Sequence, residues 1–163
     1  MGGPLKLHGH GVRKRQVRGP SGPEQPAGTV EIVVRRYRCV ACGAVLVVTP
    51  QELRAWRLYS AVAIGLALAL WGLLGVTITE VRRRVSPATI LGETAATGWA
   101  TLRRWARAVA TKQLAASAPP AKSGATLRQV AAAAASALAA SAAPATRGLP
   151  LEQRAFFGAA HAA

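Results

Sequence analysis

The chain has 163 residues, 51% of them hydrophobic, enough to bury one ordinary core or two small ones. Its 21 lysines and arginines against 6 acidic residues leave a net charge of +15, which favours a polyanionic partner, either nucleic acid or the anionic face of a membrane. Aspartate and asparagine are missing, the glutamates are scattered, and no phosphate-cradling glycine loop ends in lysine and serine or threonine, so a non-enzyme is expected.

In chain order, the first candidate side chains are His8 and His10. At i, i+2 on an extended segment they would face the same way and could serve as metal ligands, although His-Gly-His in a polar loop also reads as solvated histidine. The glycine-rich, polar start carries no secretory pattern. A β-branched strand, Val30-Glu31-Ile32-Val33-Val34, then leads through Arg35, Arg36 and Arg38 to the only two cysteines, Cys39 and Cys42, followed by Gly43 and the apolar run 44–48. Two thiolates at CxxC spacing can grip one edge of a tetrahedral Zn2+, and a glycine after the second lets the backbone turn so that its amides approach the sulfurs. A redox pair, a disulfide or two inert thiols are the other readings. Redox chemistry prefers a CxxC that opens a helix, whereas strand patterns flank this one. A closed site needs two more ligands, which His8 and His10 could supply; His161, close to the C-terminus, reads as an exposed tail residue.

Residues 58–79 contain no charged side chain and are long enough to span a bilayer. Both flanks are basic, Gly72 and Gly75 bracket a turn, and Thr77-Ile78-Thr79-Glu80 has the form of a capping box, so two packed helices are expected instead of one span. The second would run over 78–85, with Ser86-Pro87 stopping it or capping a short turn to Leu91. Over 98–109 the apolar residues Trp99, Leu102, Ala106 and Val109 share one helical face, with Trp105 at its border and Arg103, Arg104 and Arg107 opposite. That is the pattern of a DNA-recognition helix; an ordinary core helix with a solvated basic face is the plainer reading. Residues 115–124 read as a linker. A second capping box at Thr126-Leu127-Arg128-Gln129 opens an alanine-rich helix to about residue 143 with a stripe of Leu127, Val130, Ala134 and Leu138, and 149–160 suggests a last short helix anchored by Phe156 and Phe157. A loosely ordered tail is the alternative there.

The segment Arg36-Tyr37-Arg38-Cys39-Val40-Ala41-Cys42-Gly43, with Leu58-Tyr59-Ser60 and Trp99-Ala100-Thr101-Leu102-Arg103-Arg104-Trp105, resembles the N-terminal zinc-ribbon and helix-turn-helix region of bacterial insertion-sequence transposases and related short proteins. The likeness covers about residues 5–110. It implies a zinc ribbon and a helix-turn-helix without the catalytic domain of a full transposase. The family's first CxxC has no counterpart here, so either an upstream in-frame segment supplies it or His8 and His10 take over ligation.

The expected fold is α+β, mainly α: a zinc-ribbon-like β-hairpin over 5–50, a helix-turn-helix-like bundle over 51–115, a linker over 116–125 and an accessory helical or partly disordered tail over 126–163. The expected function is non-catalytic binding of double-stranded DNA in the bacterial cytoplasm, at the nucleoid, as a transposase-related regulator or mobile-element remnant. Arg103, Arg104 and Arg107 would read or grip the groove, while Arg82, Arg83, Arg84, Arg35, Arg36 and Arg38 would neutralise phosphates. A transposase, or a second copy bound through the C-terminal helix, is the further partner considered. The rival reading is a small membrane protein with one span at 58–79 and a cytoplasmic zinc ribbon. A degenerate fragment without function is the third.

Overall fold

The computed structural model describes residues 5–50, 53, 57–88 and 98–162. Three antiparallel strands, β1 (Leu7–Pro20), β2 (Ala27–Cys39) and β3 (Val45–Val48), form one sheet in the order β1-β2-β3. The β-branched residues of 30–34 and 45–48 form β2 and the edge strand β3, as their composition suggests. The turn between β1 and β2 falls in Ser21-Gly22-Pro23-Glu24-Gln25-Pro26, where the Gln25 amide donates to the Gly22 carbonyl at 3.1 Å. The 14-residue β1 makes the sheet larger than the small hairpin expected. Its glycines and charges give it little strand propensity of its own, and cross-strand pairing from Leu7↔Cys39 to Pro20↔Ala27 holds it. The register shifts between Gly9 and Val12, with Gly11 at φ +80°, so an extra residue interrupts the alternation beside His10.

Among the described residues five α-helices follow: α1 (Ala61–Gly72), α2 (Ile78–Val85), α3 (Ala100–Ala110), α4 (Leu127–Ala140) and α5 (Leu151–His161), with a 3-10 turn at Pro144–Thr146. The chain is thus α+β. Helix α1 is apolar on every side and is correspondingly buried, with the Ser60 hydroxyl accepting from the Ala63 amide at 3.2 Å at its start. Two glycines end the run as expected: Gly72 closes α1, and Gly75, at φ +70°, turns the chain before Thr77 caps α2. The apolar stretch is therefore split between two helices, and among the described residues no helix is long and apolar enough to cross a membrane. The Thr77 capping box forms only by half. The Thr77 hydroxyl accepts from the Glu80 amide at 3.3 Å, but the Glu80 carboxylate turns to Arg83 and Arg84 at 2.6–2.7 Å, since charged donors one turn along outbid a neutral amide. The expected turn to Leu91 lies outside the described residues.

The alanine-rich segment is docked. At its start both halves of the second capping box are present, Gln129 N to Thr126 Oγ1 at 3.3 Å and Thr126 N to Gln129 Oε1 at 2.8 Å. Val130, Ala134 and Leu138 are buried as the stripe required, joined by Ala131, Ala135 and Ala139, while Leu127 is only partly covered. Small residues let the backbones approach. A Cβ on Gly65 would lie 2.7 Å from Ala159 Cβ, one on Gly72 2.4 Å from the Ala132 nitrogen, and one on Gly158 1.8 Å from the Leu138 carbonyl oxygen. The α1–α5, α1–α4 and α4–α5 contacts thus each depend on a glycine, and α1 to α5 share one hydrophobic core. Leu114, Ala115 and Ala118, at the start of the expected linker, are buried in that core. Phe156 anchors α5, whereas Phe157 is 36% exposed and meets it edge to face at 5.3 Å. The Arg128 guanidinium donates to the Trp71 carbonyl at 2.9 Å, satisfying an end of α1.

The sheet joins this helical body at its turn end. Arg18 N donates to the Leu58 carbonyl at 2.7 Å, Ser60 N donates to the Arg18 carbonyl at 3.1 Å, and Gly19 lies so close to Ala63 that a Cβ would come within 2.4 Å of that methyl. The Arg15 guanidinium donates to the Arg57 carbonyl, and Gln153 of α5 donates to Glu24 at 2.8 Å. From the Arg18↔Thr29 pair to the Leu7↔Cys39 pair is eleven residues of strand, roughly 35 Å. The sheet is an arm, rooted at one end, with the cysteines at the other.

Candidate metal knuckle and nucleic-acid interface

Cys39 is the last residue of β2, and its amide donates to the Ala44 carbonyl at 2.8 Å while the Gly43 amide donates back to the Cys39 carbonyl at 3.0 Å. Gly43, at φ +72°, supplies the left-handed position that this tight return needs. Hydrogen bonds from the backbone of Cys42 and then Ala41, with the Cys42 thiol as a third contribution, lower the Cys39 thiol pKa below its ordinary value against the opposing effect of burial. These backbone groups approach the Cys39 sulfur, one of the two that the glycine suggested they would reach. Both cysteines are free, Cys39 buried and Cys42 exposed. The Val40 amide donates to the Lys6 carbonyl at 3.0 Å, which ties the lead-in of β1 to the knuckle. The Arg38 guanidinium lies beside Gly43, its Nη2 3.5 Å from where a Cβ would sit.

An open hollow of about 460 Å3 is lined by this turn together with His8 and Arg38. His8 pairs with Arg38 across the strands and so reaches the hollow, whereas His10, at the register shift, is not among its lining residues. Among the described residues no three His, Cys, Asp or Glu side chains gather closely enough to hold a metal ion. What the knuckle offers is two thiols at CxxC spacing on one tight turn, the first buried and the second exposed, a donor set suited to one edge of a tetrahedral zinc site.

The cationic surface has a different origin. On α3, Trp99, Leu102, Ala106 and Val109 are buried and Arg103, Arg104 and Arg107 are exposed, as the periodicity required. Trp105 is not at the border: it is 2% exposed and stacks edge to face on Tyr59 and Trp99 at 5.1 and 5.0 Å. Tyr59 pairs with Arg18 at the root of the arm and its hydroxyl is 2.8 Å from Ser86 Oγ at the end of α2, so one aromatic cluster ties the arm, α2 and α3 together. Arg104 donates to Thr101 Oγ1 at 3.1 Å. Its exposed neighbours Arg103 and Arg107 make no side-chain hydrogen bond or ion pair to the described residues.

The other arginines are less available than their clustering suggests. Glu80 engages Arg83 and Arg84, and their hydrogen bonds hold its carboxyl down at about 2. Strand alternation also divides the β2 cluster. Arg35 pairs with Val12 and Val48 on one face, while Arg36 and Arg38 pair with Val47 and Val45 on the other, and Arg36 is half-buried. Period-two spacing already implies this division, which a tally of arginines overlooks. What sequence reasoning missed at the knuckle is the Lys6 carbonyl and the placement of Arg38, both of which need the register of β1. No family model, no curated protein and no solved structure matches the chain.

Proposed function

We propose that this chain is a non-catalytic DNA-binding protein that grips duplex DNA through the exposed arginine face of α3. The observation that carries the reading is the separation of the two faces of that helix: Trp99, Leu102, Trp105, Ala106 and Val109 fix it in the core, leaving Arg103, Arg104 and Arg107 together in solvent. An anchored helix with a cationic outer face can enter a major groove about 12 Å wide without distorting its own packing. Arg82 and, more weakly, the Glu80-bound Arg83 and Arg84 would neutralise phosphates, as would Arg35 or the Arg36 and Arg38 pair, depending on which face of the arm meets the duplex. Zn2+ held by Cys39 and Cys42 would stiffen the tip of the arm. With the net charge of +15 and the resemblance of residues 36–43 and 99–105 to transposase DNA-binding regions, the role we assign is that of a transposase-related regulator or mobile-element remnant, acting at the nucleoid.

Salt-titrated binding to a short duplex tests this. With about five phosphates contacted, the slope of log affinity against log salt should be near −4 to −5. Absence of binding at about 50 mM salt, or a flat slope, defeats the reading.

A further inference from the structure

The knuckle is half of a tetrahedral site, and it stands at the free end of the arm. We propose that the knuckles of two copies of this chain close on a single zinc ion, tip to tip, so that the arm is a metal-dependent dimerisation element. The inference rests on the zinc reading given above. Zinc in a structural site takes four ligands, and Cys39 and Cys42, at CxxC spacing on the tight turn that Gly43 closes, form one ready edge of the tetrahedron. A second copy related by a two-fold axis through the ion brings the identical edge and completes a four-thiolate site with closed symmetry. Each thiol that is still protonated gives its proton to solvent as the metal binds.

Three features of the tip suit this closure. It lies roughly 35 Å of strand from the root, so a second tip can approach without meeting the helical body. Its rim carries exposed apolar side chains beside Lys6 and Arg38, with Leu5 71% and Val40 55% exposed and Leu7 and Val45 next to them, and a facing tip would remove them from water. The charge also fits. Four thiolates on Zn2+ carry a net charge of −2, and the Arg38 guanidinium lying against Gly43 in each copy offsets it. Without the metal, two tips bearing Arg38 and Lys6 repel each other. Association is therefore conditional on zinc.

The test uses the full chain, kept reduced, stripped with chelator and titrated with zinc chloride while mass is followed by light scattering and bound metal is counted. The expected result is a doubling of mass that saturates at one zinc per two chains and reverses with EDTA. C42S should stay monomeric in zinc with its helical content unchanged, whereas the double variant H8A/H10A should dimerise like the parent. One zinc bound per monomeric chain, or loss of dimerisation in the histidine variant, overturns the sharing while leaving zinc binding intact. A monomer that takes up no zinc removes the zinc reading and the sharing with it.

Discussion

The helical body and the β arm solve the problem of stability in opposite ways. In the body, alanine and glycine bring α1, α4 and α5 almost into backbone contact, and Leu68, Leu102 and Trp105 are among the fully buried side chains. In the arm, Val12 and Val33 are 60% exposed and Val48 57%, Val34 and Cys39 are the described hydrophobic residues it buries, and order comes mainly from cross-strand pairing and from the joint at Arg18, Gly19 and Tyr59. Packing determines the first region. The second is largely an exposed surface. Core substitutions should therefore cost stability and leave surface chemistry intact, and arm substitutions should do the reverse.

The largest expected effect is at Trp105. Trp105→Ala removes the centre of the Tyr59–Trp99–Trp105 cluster and should lower unfolding free energy by about 4 kcal/mol in urea titrations. Loss of less than about 1 kcal/mol would mean that the arm root and α3 are not joined there. Next come the glycines. Gly158→Ala places a methyl against the Leu138 carbonyl and should cost about 3 kcal/mol, while Gly9→Ala in the arm, with nothing within 4 Å, should change the stability of the body by less than about 0.5 kcal/mol. Equal tolerance at both positions would remove the contrast and detach α5 from the core.

The smallest effect is expected at Glu80. Its folded pKa is depressed from 4.5 to about 2 by Arg83 and Arg84, so its contribution to stability is present above about pH 4.5 and is lost as pH falls towards 2. Glu80→Gln should show a slightly lower Tm than the parent at neutral pH, with the two curves converging near pH 2. The same change releases Arg83 and Arg84, so duplex affinity should rise at low salt and the salt slope should steepen. A Tm difference that does not depend on pH would show that the carboxylate is not the source.

How much of this was legible in the sequence varied with the kind of signal. Local signals carried well: Gly72, Gly75 and Thr77 marked the break between α1 and α2, the period of Leu102, Ala106 and Val109 placed α3, and Thr126 with Gln129 opened α4. Long-range partners did not. The 14 residues of β1 are polar and glycine-rich, and their strand exists only because β2 pairs with it. The alanines of α4 have too little contrast between faces to reveal that α1 and α5 cover them, and only the positions of Gly65, Gly72 and Gly158 in space explain so close an approach. At the knuckle, Gly43 foretold the tight turn, which it closes at φ +72°. Whether His8 and His10 act together depended on a register shift that no composition announces, and it leaves only His8 at the hollow. For Arg83 and Arg84, the capping motif was legible but the competition for Glu80 was not.

Two equal losses of charge decide whether the arginine face of α3 is the duplex-binding surface. Arg103→Ala with Arg107→Ala is set against Lys122→Ala with Arg147→Ala, all four side chains being exposed and remote from the buried face of α3. The α3 pair should lower duplex affinity by at least about tenfold more than the control pair and reduce the salt slope by about 2, with helical content unchanged in both. Equal losses from the two pairs would show diffuse attraction of a basic chain to a polyanion and would contradict the assignment of α3.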